Sequence, residues 1–485
     1  MSKSRKQLFI GILVVMLVLM ISQVVFAAKA WELIDWNKPV PMVERLSNDE
    51  YILPEGWEEA TKGVKELAIY NSGGLSGDIA TAMNMKIFER LTGIKMKVLV
   101  VPSTLEDTKT LSILMSKDGS VPLLLAGDPN IGLTTFAREE WLIPLDFLYP
   151  QEVKDLYTPA LEPLVTRNGH WWASPVTWVG TGTLFYRPSW LKNVGVDIPN
   201  NWEDVYIAAQ KCRTWAKETL GPDYYGMVFT GTGGNLLQTL QCTIYSQGGR
   251  IYKDGKFQFL SEEFKNSFTY WVNMVREDIA SQEVFNYDWN DRGTAFGMGK
   301  AAFASCMISS YMTSYQTGYP EIKNDWSVLP PPKWDSSSPD EYQSGVALAN
   351  SNMVNKFSPD NYQAAAMLYL DFIRSAQATR NEIVVEGNDT YYLGHYNDPE
   401  AAKKVDWELA DRVAKELGVP APKRIKEIPF PKVRETLLKY SVSEQFPYGF
   451  LQVLDEIQFQ FSKAATNQVS IEEALQALQN FADSL

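Results

Sequence analysis

The side chains that could do chemistry are mainly aromatic rings and carboxylates. The chain contains 15 Trp, 23 Tyr and 22 Phe together with 58 acidic residues, but its only histidines are His170 and His395. Neither histidine lies in a Glu-x-x-His or similar spacing. The sequence therefore gives little support to a histidine-based triad or a zinc hydrolase site. Glycoside hydrolysis needs only two carboxylates, so the sequence leaves that activity open. Solvated surface residues nevertheless account better for so large a number of acidic side chains.

Aromatic residues in predicted loops suit the binding of a sugar. A pyranose presents flat C–H faces and a rim of hydroxyls, so its site needs aromatic platforms and polar groups. Aromatic side chains are nevertheless more often core residues, and Trp171 and Trp172 fit either role. Trp202, Trp215 and Trp271 lie on apolar helical stripes and are predicted to be core. The aromatic residues in predicted loops are Trp171, Trp172, Trp178, Trp289 and Tyr311.

Two segments resemble phosphate or metal sites only superficially. The glycine-rich loop at 72–77 lacks the Lys-Ser/Thr ending of a P-loop, so it is predicted to be an ordinary strand-to-helix turn. The polar loop at 286–291 resembles a calcium loop. However, Asp291 stands where that loop needs glycine, and no bidentate glutamate closes it. The sequence therefore predicts neither a metal nor a cofactor.

The elements that would position these residues begin as a βαβ unit. Leu67–Tyr70 is a short apolar strand, and a half-buried strand alternates over 94–98. Between them a helix carries its apolar stripe on Ile79, Met83, Ile87 and Leu91, with Gly93 as its C-cap. Another apolar strand covers Val121–Leu125. This order predicts an α/β fold with a parallel sheet and ligands at the strand ends.

The central stretch, 169–216, carries a series of motifs that identifies a family. It contains Gly169, Trp172, Pro175, Leu184–Tyr186, Leu191, Gly195, Pro199 and Trp202–Asp204. Further matches are Trp141–Asp146, Phe296–Phe303 and the final helix, which begins with a capping box at Ser470 and Glu473. In these motifs the chain resembles the extracellular solute-binding proteins of bacterial sugar ABC transporters, family 1, the maltodextrin-binding type. The resemblance covers roughly residues 65–380 and 433–485.

The resemblance implies a periplasmic-binding-protein fold of class II, with two α/β lobes joined by a multi-strand hinge. Lobe 1 is expected to hold residues 65–176 and 331–378, and lobe 2 residues 179–327 and 381–485. The hinge is expected to have crossings near 175–180, 326–332 and 375–381. Residues 1–27 are predicted to be a signal peptide, and residues 28–64 an N-terminal extension packed on the surface.

The resemblance also implies a sugar site in the cleft between the lobes. Asp128 lies in the loop where a family carboxylate chelates vicinal hydroxyls, and Trp178 is expected to be a sugar platform at the base of the cleft. Ser309-Ser310-Tyr311 replaces the usual Gly-x-Trp, which leaves the identity of the sugar open. With the loop aromatic Trp289 added, the predicted ligand-binding residues are Asn71, Ser72, Gly73, Asp128, Asn130, Trp178, Trp289, Tyr311 and Gly345.

The function that the resemblance implies is capture of a sugar or oligosaccharide and its delivery to a membrane permease. The chain would act as a monomer and would not be an enzyme. It carries no nucleotide motif, so the energy for transport would come from the ATPase of the transporter. The alternatives are a secreted carbohydrate-active enzyme, or a binder of a non-sugar solute such as a peptide or polyamine.

The N-terminus predicts export. A basic segment containing Lys3, Arg5 and Lys6 precedes an apolar run from Leu8 to Val25, and small residues follow it. This pattern is typical of a secretory signal peptide cut before Ala28 or Trp31. The alternative is a retained membrane anchor, because the run is nearly long enough to span. No cysteine lies near the cleavage site, so the chain is predicted to be a periplasmic protein and not a lipoprotein.

Charge and cysteine count restrict the partners and cross-links that this chain could have. Loss of the three N-terminal basic residues leaves 42 of the 45 basic residues against 58 acidic ones, a net charge of −16. Such an acidic chain is a poor partner for nucleic acid or anionic lipid. The cysteines, Cys212, Cys242 and Cys306, are odd in number, so at least one is unpaired.

Overall fold

The computed structural model describes residues 29–72, 78–101, 106–126, 132–177, 180–308, 310–348, 350–395 and 398–485. Two five-stranded sheets organise this part of the chain, and two-stranded ribbons lie outside them. The strands are β1 (Glu66–Ser72), β2 (Lys95–Val101), β3 (Leu123–Ala126), β4 (Thr166–Arg167), β5 (His170–Trp171), β6 (Ser174–Thr177), β7 (Gly180–Tyr186), β8 (Tyr225–Val228), β9 (Tyr252–Lys253), β10 (Lys256–Phe257), β11 (Ala301–Ile308), β12 (Ser327–Leu329), β13 (Val346–Ala347) and β14 (Asn350–Val354).

Helices connect the strands and cover the sheets. They are α1 (Met42–Ser47), α2 (Trp57–Ala60), α3 (Ile79–Thr92), α4 (Glu106–Met115), α5 (Leu133–Arg138), α6 (Gln151–Lys154), α7 (Glu162–Val165), α8 (Pro188–Asn193), α9 (Trp202–Thr219), α10 (Gly233–Tyr245), α11 (Glu262–Arg276), α12 (Trp289–Gly297), α13 (Tyr311–Thr317), α14 (Asp360–Ile373), α15 (Ala376–Asn381), α16 (Trp407–Leu417), α17 (Pro431–Tyr440), α18 (Phe450–Ala465) and α19 (Ile471–Asp483). A π-helical stretch spans Glu382–Glu386. Within the described ranges, no helix combines the length and apolar character needed to cross a membrane.

The first sheet begins with the predicted βαβ unit and has the order β2-β1-β3-β14-β6. β1 is parallel to β2 and to β3, whereas β14 is antiparallel to both β3 and β6. Helix α3 begins where the Asp78 carboxylate accepts a hydrogen bond from the Thr81 N–H at 2.9 Å. It ends at Gly93, whose φ of +75° is the left-handed conformation that glycine adopts readily. The predicted α/β fold class and the predicted βαβ unit at the beginning of this sheet are confirmed.

The second sheet has the order β12-β7-β11-β8, with β13 also paired to β7. Every residue of β7 and β11 is buried, and helix α9 covers this sheet with an N-cap in which Asn201 accepts from the Asp204 N–H at 2.8 Å. Trp202 and Trp271 are fully buried with ring centroids 5.6 Å apart, so the prediction that they are core residues is confirmed.

The chain passes between the two sheets at positions that differ in part from the prediction. One passage joins β6 to β7, as expected. The sequence also predicts a crossing near 326–332, but β12 pairs with β7 there, so the chain remains in the second sheet. It returns between β13 and β14 instead. A proline-rich run shows where a strand stops but carries no information about which sheet the strand has joined.

The segment after residue 381 packs differently from the prediction, which assigns most of 381–485 to the second lobe. Ile383 and Val384 are buried in the core of the first sheet, and so are Val413 and Ala414 of α16, which packs on α3. Phe446 and the two final helices pack in the core of the second sheet. The charged, irregular sequence of 381–432 gave no local signal of which core its apolar residues face.

The N-terminal extension is part of the first core rather than a surface addition. Met42, Leu46 and Tyr51 are buried in that core. Beside them the fully buried Asp371 carboxylate lies 2.9 Å from Nη2 of Arg45 and 2.5 Å from Nη2 of Arg374. It also accepts a hydrogen bond from the Tyr51 hydroxyl at 2.5 Å. A buried ionic network therefore fastens the extension to helix α14.

Replacing the centre of this network should destabilise the protein strongly. Asp371→Asn leaves the Arg45 and Arg374 charges buried without a counter-charge, so the free energy of unfolding should fall by about 3–5 kcal/mol. Urea unfolding followed by circular dichroism measures this loss. Asp278→Asn is the control, since that half-exposed carboxylate also pairs with two cations and should lose clearly less. Equal losses would contradict the assigned role of the network.

Candidate ligand-binding site

Strand pairing brings several strand ends together at one edge of the first sheet. Ser351 of β14 pairs with Ala126 at the end of β3, and Asn350 pairs with Thr177 at the end of β6. Since β1 runs parallel to β3, its last residue, Ser72, lies at the same edge. The carboxyl ends of β1, β3 and β6 and the amino end of β14 therefore share that edge, where ligands bind in open α/β sheets.

The second sheet presents a matching edge. Thr181, near the start of β7, pairs with Ile308 at the end of β11 and with Val346 in β13. The two sheets are joined here by short links, because β6 ends at Thr177 and β7 begins at Gly180. Three Cα–Cα steps span at most about 11 Å, so the two edges lie close to each other. The space bordered by these edges is the candidate site.

The residues that the sequence predicts in the first lobe and the hinge lie at the end of β1 or outside the described ranges. Asn71 and Ser72 are the last two residues of β1, and their backbones pair with β2. The other predicted contacts from the first lobe and the hinge, Gly73, Asp128, Asn130 and Trp178, lie outside the described residues. Their part in ligand binding stays a prediction.

Trp289 lies at the start of helix α12, so the prediction of a loop over 286–291 is wrong at its C-terminal end. The Asp288 carboxylate accepts from the N–H groups of Asn290 (2.7 Å) and Asp291 (2.9 Å), and the Asp291 carboxylate accepts from the Asp288 N–H. This reciprocal capping box accounts for the acidic residues that resembled a calcium loop. Trp289 as a residue is 37% exposed, so part of its surface faces solvent.

Tyr311 is a buried residue that supports Trp289. Its side chain is 5% exposed, and its hydroxyl donates a hydrogen bond to the Trp289 carbonyl at 3.2 Å. The ring packs against Gly293, where an added Cβ would come within 2.0 Å of Tyr311 Cζ. The prediction that Tyr311 lies in a loop is wrong, because this residue begins helix α13. Its ring stacks on that of Tyr315, with ring centroids 5.2 Å apart. Direct contact of Tyr311 with a ligand stays a prediction.

Gly345 is required by packing at the second edge. A Cβ at this position would lie 2.3 Å from Leu437 Cδ1 and 2.7 Å from the Thr181 carbonyl oxygen. The Gly345 carbonyl also accepts from the Val442 N–H at 2.9 Å. The glycine therefore allows helix α17 to approach β7 closely, and its contact with a ligand stays a prediction.

Sequence reasoning missed a partly buried glutamate at the amino end of helix α3. Glu386 accepts hydrogen bonds from the N–H groups of Ile79 and Ala80, the latter at 3.2 Å. Burial and the negative charge of Asp78 raise the pKa of Glu386 to about 8. Glu386 thus accepts hydrogen bonds from the first N–H groups of α3, which follow the glycine-rich segment. Residues 79 and 386 are far apart in sequence, so no local pattern could have predicted this contact.

A fully buried glutamate accompanies Glu386. Glu382 accepts from the Thr81 hydroxyl at 3.1 Å and from Asn84 Nδ2 at 3.2 Å. Burial, followed by the charge of Asp78, raises its pKa well above the ordinary value. The pKa of Asp78 is itself raised by burial. Three carboxyl groups therefore share this region, which favours their protonated forms.

The two histidines have different surroundings and different partners. The exposed His170 ring pairs with the Asp146 carboxylate at 3.0 Å. His395 is buried against the Thr379 hydroxyl at 2.8 Å, and burial lowers its pKa to about 3. Among the residues with described positions, no three His, Cys, Asp or Glu side chains are grouped to hold a metal ion. The three cysteines are all buried and free.

Two helix-covered sheets with facing edges and short links define the class of solute-binding proteins with two α/β lobes. The model of the bacterial extracellular solute-binding protein family matches residues 74–380, which is more than half of the chain. The chain therefore belongs to the bacterial extracellular solute-binding proteins. A comparison with curated protein sequences found no match.

Solved structures share the fold over most of the chain. Maltose-bound MalE3 of T. maritima is 19% identical, with a TM-score of 0.68 over 86% of this chain and 99% of that one. A solute-binding protein of Thermotoga lettingae with bound α-D-tagatose is 20% identical, with a TM-score of 0.68 over 87% and 99%. The GacH receptor of Streptomyces glaucescens, solved unliganded and with acarbose, is 16% identical, with a TM-score of 0.66 over 86% and 96%.

The raised pKa of Glu386 predicts a pH-dependent stability. A carboxyl group whose pKa is raised on folding contributes stability below its unfolded value of about 4.5, and that contribution is lost as the pH rises through about 8. From about pH 5 to about pH 8, the free energy of unfolding should therefore fall more steeply for the unsubstituted protein than for Glu386→Gln. Urea unfolding at several pH values measures both slopes.

Glu473→Gln is the matched control for this experiment. Glu473 also accepts from a helix N-terminal N–H, that of Ser470 at 2.8 Å, but it is exposed, and this hydrogen bond lowers its pKa. Its variant should therefore follow the profile of the unsubstituted protein over the same pH range. If Glu386→Gln also gave that unchanged slope, the carboxyl group would be ionised in the folded protein throughout and the assigned pKa direction would be wrong.

Proposed function

We propose that this chain is the substrate-binding component of an ABC importer, which captures a sugar or oligosaccharide and delivers it to a membrane permease. The observation that carries the proposal is the likeness over 86–87% of the chain to binding proteins whose structures contain maltose, α-D-tagatose or acarbose. Family membership supports it independently. The ligand would bind between the facing edges of the two sheets.

The described part of the site supports a binding role. Trp289 offers a partly exposed ring, and rings of this kind pack on the apolar face of a pyranose. The proposed contacts remain those that the sequence suggests on the β1 end, the loop after β3, the β6–β7 link and the second edge. They are Asn71, Ser72, Gly73, Asp128, Asn130, Trp178, Trp289, Tyr311 and Gly345.

The proposal includes binding without turnover. Hydrolysis of a glycoside needs two carboxylates that flank the bond. The acidic side chains near Trp289, Asp288 and Asp291, are engaged in capping helix α12. We also propose that the chain is exported through its N-terminal apolar segment and works as a monomer in the extracytoplasmic space.

A panel of saccharides tests binding and turnover together. Maltose, maltotriose, tagatose and acarbose should be titrated calorimetrically into the mature chain, and the mixtures then analysed for products. We expect one ligand per chain, no product, and a higher melting temperature, since a ligand at a hundred times its Kd stabilises by about 2.7 kcal/mol. Appearance of shortened saccharides would instead support the carbohydrate-active enzyme. Failure of every saccharide to bind would contradict the proposal.

Trp289 should contribute to affinity more than to stability. Removing a ring that covers one sugar face should weaken binding by about tenfold or more, because about 1.4 kcal/mol corresponds to tenfold. Calorimetric titration of Trp289→Ala with the saccharide that binds best measures this change. Trp202→Ala is the control, since that fully buried ring should cost about 3–5 kcal/mol of stability. Unchanged affinity in Trp289→Ala would remove this residue from the site.

A further inference from the structure

Two of the three cysteines lie against each other in the core of the second sheet. Cys306 belongs to β11 and Cys242 to helix α10, and both residues are buried in that core. A hydrogen bond joins the two side chains. The third cysteine, Cys212, lies on helix α9. The fold therefore brings together two thiols that are far apart in the sequence.

The contacts of the Cys306 sulfur with the backbone of α10 place it beside Cys242 independently. Cys306 Sγ lies 3.8 Å from the carbonyl oxygen of Gln238 and 3.9 Å from that of Thr239. Gln238 and Thr239 precede Cys242 by four and three residues. Side chains on a helix point back over the preceding turn, towards the N-terminus. The Cys242 side chain thus covers the same turn of α10 that the Cys306 sulfur contacts.

The backbone of β11 is distorted at the residue that carries this sulfur. The register of β11 against β7 shifts between Ala304 and Met307. Cys306 lies within this irregularity and has a φ of +54°, a left-handed conformation that is costly for a residue with a Cβ. Irregularities of this kind turn a side chain away from the direction that regular alternation gives it. The strained residue is the one whose sulfur reaches α10.

The charge of Arg292 makes Cys306 the more reactive thiol of the pair. Burial raises the pKa of Cys306, but the hydrogen bond with Cys242 and the charge of Arg292 together outweigh burial and lower it. Burial, followed by the hydrogen bond with Cys306, raises the pKa of Cys242 well above its ordinary value. The thiolate is the form of cysteine that attacks a disulfide. Cys306 is therefore the attacking sulfur of the pair.

We propose that Cys242 and Cys306 form a disulfide bond that stabilises the exported protein, and that Cys212 remains a free thiol. The inference goes beyond sugar binding and rests only on the proposed export, because disulfides form and persist in oxidising compartments. The structure presents the thiol form of all three cysteines. The bond would join α10 to β11 and close a loop of roughly 65 residues in the second lobe.

The bond forms by exchange with a disulfide-bearing oxidant, either a protein of the compartment or oxidised glutathione. The Cys306 thiolate attacks one sulfur of that disulfide, which gives a mixed disulfide and expels the other sulfur as a thiolate. Cys242 loses its proton and attacks Cys306 Sγ, and the remaining sulfur of the oxidant leaves as a thiolate. Two electrons pass to the oxidant, whose disulfide becomes two thiols. Since Cys242 is 1% exposed and Cys306 is fully buried, the exchange takes place before folding is complete.

Counting the thiols of the exported chain tests the bond. The full mature protein should be unfolded in guanidinium chloride with a maleimide present, and its labels counted by intact-mass spectrometry. We expect one label without a reductant and three labels after reduction. A tryptic digest should contain peptides cross-linked through Cys242 and Cys306, which separate on reduction. Three labels on the unreduced protein, or a cross-link that contains Cys212, would overturn the inference.

Cys212→Ser is the matched control, since it removes a buried cysteine of the same core. This variant should keep the cross-link and take up no label before reduction, whereas Cys242→Ser should take up two labels with or without a reductant. If Cys242→Ser does not fold, the oxidised and reduced forms of Cys212→Ser replace it, because they differ only in the bond. The oxidised form should melt about 5 °C or more above the reduced form, because the bond restricts the unfolded chain. Equal melting temperatures would overturn the inference.

Refolding separates this inference from the proposed function. The reduced chain, unfolded and then refolded with oxidised and reduced glutathione, should form the same cross-link, and its failure to do so would overturn the inference. The refolded protein should then be titrated with the saccharide panel. Binding by a chain that lacks the cross-link would overturn only the inference. A cross-linked chain that binds no saccharide would support the inference and contradict the proposed function.

Discussion

The structure depends on how two strands of the first sheet are linked to two strands of the second. β6 and β14 pair antiparallel in the first sheet, and β7 and β13 pair in the second. The links between them are so short that the two sheet edges cannot separate by more than about 11 Å at β6–β7. The strand ends beside this link therefore lie near the other sheet, which makes a shared ligand site possible.

The cores of the two sheets differ in whether their buried arginines are neutralised by a carboxylate. In the first core, Asp371 neutralises two arginines, and the network joins the N-terminal extension to α14. In the second, Arg292 is buried, its charge acts on Tyr311 and Cys306, and no carboxylate of the described residues forms an ion pair with it. The first arrangement is complete within the chain and stabilises the fold. The second leaves two donor atoms of Arg292 without a hydrogen-bond partner inside the core.

Local features of the sequence predicted the elements well. The stripe from Ile79 to Leu91 and the glycine at 93 define α3, and Asn201 with Trp202 defines the start of α9. These features act over three or four residues, so they operate before any tertiary contact forms. The ordered series of motifs then identified the family, which fixed the α/β class and the expectation of facing lobes.

Contacts between distant segments could not be predicted in this way. The sequence by itself determined where helices and strands begin, which family they belong to, and that aromatic and acidic residues are abundant. Only the tertiary structure decided that 383–414 packs in the first core, that Tyr311 supports Trp289 from beneath, and that Glu386 binds the start of α3. The physical reason is that caps and periodicity act over a few residues, whereas the partner of a buried charge or ring is set by packing between segments that are not neighbours in the sequence.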